Sequence, residues 1–191
     1  GKKVLITGHT GFKGSWLSIW LNRLGAEVAG VSLPPEKTTN LFNEAQVEQL
    51  FSESYFCDIR DSLKFSVLIR NINPDIVFHL AAQPLVRPSY QDPIKTFSTN
   101  FMGSIYLLDA LRGVSNSRVV VMVTTEKVYK TLKSRRPFSE NDELGGFDPY
   151  SASKAGSEIA IASYRDAFLT EQGIALATAR AGNVIAGGDW S

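Results

Sequence analysis

The residues whose types and spacing point most directly to chemistry are a tyrosine and a lysine four positions apart, Tyr150 and Lys154. Side chains with this separation lie on one face of a helix, one turn apart. A free tyrosine has a pKa near ~10 and is a weak base at neutral pH, but a neighbouring ammonium group favours the phenolate and lowers that pKa. The pair is therefore predicted to remove a proton from a hydroxyl group. The alternative is a helix surface with no chemical role.

A second polar group follows a run of branched apolar residues at 119–123. Such a run is typical of a buried strand, and ligands of open α/β sheets bind beyond the carboxyl ends of the strands. There Thr125 can donate a hydrogen bond to a substrate oxygen, and Glu126 and Lys127 can divide acid and base work between them. The alternative for Glu126 and Lys127 is an exposed ion pair, which contributes little.

Three glycines, Gly8, Gly11 and Gly14, lie between the first apolar run and the first helical pattern. Glycine is required where a turn is tight, where the backbone approaches a pyrophosphate, and where a helix packs close to a sheet. The helix N-terminus then offers free N–H groups and a positive dipole end to phosphates. This placement favours a dinucleotide site over a glycine-rich turn that binds nothing.

The end of the second apolar run bears on which dinucleotide is bound. An acidic residue there would hold the adenosine ribose, but residues 31–35 read VSLPP, and the nearest acid, Glu36, comes only afterwards. No arginine is present there to accommodate a 2′-phosphate. NAD is therefore preferred to NADP as the cofactor.

These groups need a scaffold that brings strand ends together, and the chain alternates strand-like and helical patterns. The predicted strands are residues 4–6, 28–31, 76–78, 119–123 and 174–179, and the predicted helices are residues 15–24, 62–72, 92–111 and 151–172. Continuous apolar strands suit a parallel sheet covered on both faces, so the pattern predicts an α/β fold with a doubly wound, Rossmann-type sheet. The charged stretch 129–146 is predicted to form a long functional loop at the carboxyl edge.

Composition argues against several classes of function. The 191 residues carry a net charge of +1, which gives no electrostatic reason to expect nucleic acid or an anionic membrane as partner. No apolar run approaches the roughly 20 residues of a membrane helix, and no secretory signal precedes the first strand, so a cytoplasmic location is expected. The lone cysteine fits a reducing compartment, and with only two histidines no metal site is expected.

The GxxGxxG spacing resembles that of the extended short-chain dehydrogenase/reductase superfamily, and four longer stretches resemble its CDP-glucose 4,6-dehydratase family. These stretches are GHTGFKGSW at 8–16, FHLAAQPLVR at 78–87, DPYS at 148–151 and RAGNVI at 180–185. The resemblance implies that residues 1–191 form an NAD-binding Rossmann-type domain carrying the catalytic residues. It also implies a substrate domain beyond residue 191.

The reaction implied by this resemblance is an internal redox reaction followed by loss of water. Tyr150 would remove the 4-hydroxyl proton of CDP-glucose as hydride passes from C4 to NAD, and hydride would return to C6 after water is lost. Thr125 would polarise the 4-oxygen, Glu126 would be the acid and Lys127 the base. Family members usually carry aspartate where Glu126 stands. The product would be CDP-4-keto-6-deoxyglucose, so a lyase of deoxysugar biosynthesis is expected.

The resemblance also implies sets of binding residues. Those for the cofactor are Gly8, Thr10, Gly11, Phe12, Gly14, Asp58, Ile59, Ala81, Ala82 and Lys154. Those for the nucleotide-sugar substrate are Gln83, Arg87, Ser89 and Asn183. Asn100 matches a further position near the active site. The alternatives are a helix N-cap for Asp58 and local loop contacts for Arg87, Asn100 and Asn183.

Two other functions remain open. A nucleotide-sugar 4-epimerase or a reductase would use Tyr150 and Lys154 without needing an acid/base pair for water loss. A binding or regulatory module would keep the dinucleotide fold without catalysis. The superfamily often pairs through two long helices, here residues 92–111 and 151–172, so a homodimer is expected.

Overall fold

The strands of the protein form one parallel sheet. The computed structural model describes residues 1–35, 39–130 and 136–189, and within these ranges the sheet has six strands in the order β3-β2-β1-β4-β5-β6. Their bounds are β1 Lys3–Thr7, β2 Glu27–Ser32, β3 Phe51–Phe56, β4 Ile76–His79, β5 Val119–Thr125 and β6 Ala175–Ala181. The strand order changes direction between β1 and β4, where a crevice opens at the carboxyl edge. The predicted doubly wound parallel sheet is confirmed.

Helices connect the strands and cover both faces of the sheet. Their bounds are α1 Phe12–Arg23, α2 Leu41–Glu44, α3 Ser62–Ile72, α4 Val86–Gln91, α5 Pro93–Phe97, α6 Gly103–Leu111 and α7 Pro149–Tyr164. A π-helical turn, Ser98–Met102, joins α5 to α6, so the predicted helix 92–111 is one run that begins at its cap, Asp92. The predicted helix 151–172 begins earlier, at Pro149, and changes to a π-helical turn at Arg165–Leu169.

The core explains why the apolar runs predicted strands so well. Leu5, Val77 and Val120, on β1, β4 and β5, are completely buried. Helices α3 and α6 pack on this side of the sheet through Phe65 and Leu107. Strand β3 differs because its sequence, FSESYF, alternates and its side chains are half-buried or exposed. It lies at the edge of the sheet, beside β2 alone, and was not found as an apolar run.

Helix α1 is confirmed, but none of its large apolar side chains is fully buried. Trp16, Trp20 and Leu24 follow helical spacing, yet they are 42%, 63% and 67% exposed. The buried residues of α1 are small, namely Gly14, Ser15 and Ser18. Because a methyl group added at Gly14 would lie 2.2 Å from the carbonyl oxygen of Gly8, the helix is too close to the preceding loop for larger side chains.

The loop predicted at 129–146 folds back on the segment that follows β5. The Lys130 amide donates to the carbonyl of Glu143 at 2.8 Å, and the Gly145 amide donates to the carbonyl of Val128 at 2.8 Å. A methyl group at Gly146 would lie 2.2 Å from the amide nitrogen of Ala152, so this returning arm is wedged against the start of α7. Residues 131–135 of the predicted loop lie outside the described residues, as do Glu36 and the last two residues of the chain.

Within the ranges that the structure covers, no helix combines the length and the apolar character needed to cross a membrane.

Gly30 on β2 makes the packing of His9 possible, and this can be tested. A methyl group at Gly30 would lie 2.5 Å from the His9 ring, which is completely buried against the edge of the Phe51 ring. Because the ring has no space to retreat, Gly30→Ala is expected to lower the free energy of unfolding by about 1–3 kcal/mol in urea titrations. Gly187→Ala, where nothing lies within 4 Å, is the control. Equal stability of the two variants would contradict this account.

Candidate active site

The glycine loop between β1 and α1 is held in a conformation that requires glycine at two points. Gly8 has φ +77°, and a methyl group there would lie 2.8 Å from the amide nitrogen of Ala81 at the end of β4. Gly14 lies directly on Gly8, and Gly11 donates its amide to the Gly8 carbonyl at 3.1 Å. The loop therefore lies across the crevice at the strand-order switch with its backbone open to close approach.

The N-terminus of α1 is free to receive an anion. Its cap residue, Gly11, has no side chain to bond the amides of Phe12, Lys13 and Gly14. Unsatisfied amides and the positive dipole end together suit a pyrophosphate. The Thr10 side chain makes hydrogen bonds within the protein. Its hydroxyl bonds Ser32 Oγ at 2.9 Å and donates to the Leu33 carbonyl at 2.9 Å. Its side chain thus ties the loop to the end of β2.

The His9 side chain anchors the glycine loop to neighbouring elements, a role that the sequence analysis missed. Its Nε2 is 2.9 Å from Ser54 Oγ on β3, and its ring packs edge-on against Phe42 and Phe51. Burial, partly offset by a backbone hydrogen bond, lowers the pKa of His9 to about 4, so the ring is neutral at pH 7. The GxxGxxG pattern gives no signal for this contact, because Ser54 and Phe51 lie on a strand far along the chain.

The loop after β3 carries Asp58 and Ile59, which are predicted to bind the cofactor. Asp58 forms an ion pair with Arg60 (Oδ2 to Nη2, 2.6 Å), whose hydrogen bond holds the pKa of Asp58 below its usual range. The alternative role for Asp58 as a helix cap is wrong, because Asp61 caps α3 by accepting from the Lys64 amide. Ile59 is buried, and a methyl group at Gly103 would meet its Cδ1 at 2.5 Å, so its side chain packs under α6.

The loop after β4 brings small residues to the crevice. Ala81 and Ala82 are half-buried, and the Ala81 amide donates to Thr7 Oγ1 at 3.3 Å. The side chain of Gln83 is not free, because its amide group donates to the Leu85 carbonyl at 3.0 Å and to Thr96 Oγ1 at 3.1 Å. It also accepts from the Leu85 amide at 2.7 Å. Gln83 therefore shapes this loop and has little capacity left for a substrate.

Asn100 joins the same loop to α7. Its Oδ1 accepts from the Gln83 amide at 2.8 Å, and its Nδ2 donates to the Gln83 carbonyl at 3.1 Å and to Ser153 Oγ at 2.9 Å. The residue is completely buried. The alternative for Asn100 was a set of contacts within one loop. Its hydrogen bonds extend further than that, because they connect three parts of the chain.

Tyr150 and Lys154 lie on α7, as their spacing predicts, and both are buried. Asp148 caps the helix by accepting from the Ser151 amide at 2.9 Å, which fixes the start of α7 at Pro149, the residue before Tyr150. The Lys154 ammonium donates to the Val123 carbonyl of β5 at 3.3 Å. Helix α7 is thereby fixed to β5, the strand that ends in Thr125.

The predicted lowering of the Tyr150 pKa is wrong. Burial raises the pKa of Tyr150, and the carboxylates of Glu126 and Asp148 add to that effect, against a hydrogen bond with Thr125 that lowers it. Burial also lowers the pKa of Lys154 to about 8, helped by repulsion from the Lys13 ammonium. The physical reason is desolvation, which disfavours the charged forms of both side chains.

The three polar residues at the end of β5 lie together. Thr125 donates from its hydroxyl to Glu126 Oε2 at 2.8 Å and accepts from the Lys127 amide at 3.3 Å. Glu126 and Lys127 form a loose ion pair of 3.9 Å, and their side chains are 46% and 47% exposed. The two residues therefore do form an exposed ion pair, as the alternative held. They are also charged groups beside Tyr150 that a ligand could reach. Their chemical roles stay predictions.

The remaining residues predicted to bind substrate differ in their exposure to solvent. Arg87 on α4 and Asn183 after β6 are exposed. Ser89 has no exposed surface, and its hydroxyl donates to the Val86 carbonyl at 2.6 Å, one turn back in α4. Ser89 is therefore placed as a packing residue of α4 and offers a ligand no accessible atom.

Comparison with known proteins places the chain in a family. A family model described as GDP-mannose 4,6 dehydratase matches residues 5–181. The CDP-glucose 4,6-dehydratase of Salmonella typhimurium is 46% identical over 196 aligned residues, which cover 100% of this chain and 54% of that protein.

Solved structures of epimerases share the fold. The UDP-Glc/GlcNAc 4-epimerase of Campylobacter jejuni superposes with a TM-score of 0.82 at 20% identity, over 94% of this chain and 53% of that one. The UDP-glucose 4-epimerase of Thermus thermophilus, solved as a complex with NAD, gives 0.77 at 27% identity, over 93% and 54%. The chain thus spans about half the length of these relatives. With the family match covering nearly all of the sheet, the chain belongs to the nucleotide-sugar 4,6-dehydratase family.

Proposed function

We propose that this chain is the NAD-binding and catalytic part of an enzyme that converts CDP-glucose to CDP-4-keto-6-deoxyglucose. The observation that carries the proposal is the position of Tyr150 and Lys154 on α7, fixed to the end of β5 where Thr125, Glu126 and Lys127 lie. The 46% identity to a CDP-glucose 4,6-dehydratase supports the choice of substrate.

The crevice has the features that NAD needs. The free amides at the start of α1 would hold its pyrophosphate, and the ammonium of Lys154 would bond a ribose hydroxyl. The described residues at the end of β2 carry no arginine for a 2′-phosphate, which favours NAD over NADP. NAD supplies the hydride acceptor for C4 and the hydride donor for C6, so the conversion is redox-neutral.

The side chains of this protein would move the protons. Tyr150 would take the proton of the 4-hydroxyl, and the Thr125 hydroxyl, which donates to Glu126 in the structure, would turn to the 4-oxygen. The resulting 4-keto group acidifies the C5 hydrogen, which Lys127 removes as a neutral amine. Glu126, protonated, gives its proton to the departing 6-hydroxyl, which leaves as water. In this step Lys127 gains a positive charge and Glu126 gains a negative charge.

The rest of the assembly is also part of the proposal. Residues 1–191 form the NAD-binding Rossmann-type domain of a longer cytoplasmic protein, whose substrate domain follows. The homodimer forms through the helical run Pro93–Leu111 and through α7. Exposed apolar side chains on both, Ile94 at 82% and Ile159 at 63%, support this interface.

A nucleotide-sugar 4-epimerase is the second candidate. The structural match to an NAD-bound UDP-glucose 4-epimerase at 27% identity favours it, and Tyr150 and Lys154 would serve in the same way. The exposed pair of Glu126 and Lys127 favours the dehydratase, because reversal of configuration at C4 needs no acid and base at C5 and C6.

The full-length protein incubated with CDP-glucose and NAD in deuterated water is expected to form a 4-keto product carrying deuterium at C5. Tyr150→Phe should lower this rate by at least about 100-fold, because the proton acceptor is lost, with NAD affinity nearly unchanged. Tyr164→Phe, at the other end of α7, is the matched control. An epimerised product without deuterium at C5 would favour the second candidate.

Lys127→Met is expected to stop water loss while leaving oxidation at C4 possible, because only the C5 proton lacks its base. The measurement is single-turnover absorbance of the reduced nicotinamide, compared with keto-deoxy product. Lys130→Met is the control, since Lys130 is an exposed lysine paired with Glu143. Equal loss of both signals in Lys127→Met would assign Lys127 to binding and not to proton transfer.

The Lys154 ammonium should make stability depend on pH in a defined direction. Its folded pKa of about 8 lies below the unfolded value of 10.5, so the unfolded chain binds more protons between these limits, and stability rises with pH there. Lys154→Met, which buries no charge, should be more stable than the parent by about 3 kcal/mol at pH 7. In urea titrations this advantage should shrink as pH rises from 8 towards 10.5. Lys130→Met should show no such trend, and a constant advantage of Lys154→Met would refute the assignment.

A further inference from the structure

One buried ion pair outside the groups assigned so far joins the elements that carry them. Glu158 on α7 accepts from Arg180 on β6 at both carboxylate oxygens, from Nε at 3.0 Å and from Nη2 at 3.1 Å. The Glu158 side chain is 4% exposed and that of Arg180 is 16% exposed. A bidentate pair of this kind fixes orientation as well as distance, because the planar guanidinium matches the planar carboxylate.

The same carboxylate holds the end of β5. Thr124 donates from its hydroxyl to Glu158 Oε1 at 2.5 Å, and Thr124 lies opposite Arg180 in the register of β5 and β6. Although burial would raise the pKa of Glu158, the hydrogen bonds from Arg180 and Thr124 hold it below its usual range. Thr124 immediately precedes Thr125, and Glu158 follows Lys154 by one helical turn. The pair therefore lies directly behind the catalytic groups.

Arg180 also holds both arms of the loop that follows Lys127. Its Nη1 donates to the Glu140 carbonyl at 3.1 Å on the returning arm, and its guanidinium lies 5.0 Å from the Tyr129 ring on the outgoing arm. The Tyr129 ring stacks in turn on Phe138, with ring centres 4.6 Å apart. One side chain on β6 thus contacts α7, the end of β5 and the two arms of the loop.

We infer that Glu158 and Arg180 are positioning residues that set Glu126 and Lys127 at a fixed distance from Tyr150. This rests on the proposed function. Tyr150 and Lys154 have anchors of their own in the Asp148 cap and the Val123 carbonyl. Glu126 and Lys127 are half-exposed and follow the end of β5, where the Glu158 carboxylate holds Thr124. Loss of the pair should therefore disturb the removal of water more than the oxidation at C4.

The first test compares the two half-reactions in the full-length protein. Arg180→Lys keeps the charge and removes the bidentate geometry, and the matched control is Arg112→Lys, an exposed arginine paired with Asp109. We expect Arg180→Lys to lower the rate of water loss by roughly 10- to 100-fold, because a shift of about 1 Å has this effect on a reacting group. Reduction of the nicotinamide should fall by less than about threefold, and Arg112→Lys should leave both rates unchanged. Equal losses in both half-reactions would overturn the inference.

The second test needs no turnover and therefore separates this inference from the proposed function. Amide hydrogen exchange of the full-length protein reports on the bonds from Lys130 to Glu143 and from Gly145 to Val128. Arg180→Lys and Glu158→Gln should each speed exchange at residues 128–130 and 143–145 by at least about tenfold, while β1 stays protected. Unchanged exchange in this segment, or loss of protection throughout the sheet, would refute positioning. If the parent protein does not convert CDP-glucose, the proposed function fails and the exchange result still decides this inference.

Discussion

The contact between α1 and the glycine loop is the constraint on which the rest of the crevice depends. With Gly14 lying on the Gly8 carbonyl and Gly8 against the end of β4, there is no room for a methyl group at either position. This close packing brings the free amides at the start of α1 to the point where the strand order changes direction. It also leaves the larger apolar residues of α1 half-buried or exposed, because only small side chains fit beneath the helix.

Burial shifts the pKa values of the ionisable side chains on α7. Lys154 and Glu158 lie one turn apart on α7, both nearly inaccessible to water. Burial lowers the pKa of Lys154 to about 8, and the Glu158 carboxylate opposes that change. Tyr150, under a similar desolvation, has its pKa raised. The tyrosine is thus a protonated phenol at neutral pH, and its use as a base requires a positive charge near enough to favour the phenolate.

Several residues singled out by motif turn out to build the site and to leave few atoms for a ligand. The side chains of Thr10 and Gln83 are engaged in hydrogen bonds within the protein. Ser89 is buried, and its hydroxyl donates to a carbonyl of its own helix, α4. Asn100 connects the loop after β4 with α7. A shared motif therefore locates these residues near the active site, but hydrogen-bond partners decide whether a side chain faces the ligand or supports the residue that does.

The sequence by itself determined the alternation of strands and helices, the helix Ser62–Ile72, the glycine loop and the common face of Tyr150 and Lys154. These features depend on residues that are close along the chain, and local periodicity records them. Only the tertiary structure decided the edge strand β3, the support of the loop by His9, the direction of the Tyr150 pKa and the Glu158–Arg180 pair. Each of these depends on burial or on contacts between distant segments. Desolvation and long-range hydrogen bonds come into being only when the sheet assembles, so spacing along the chain cannot reveal them.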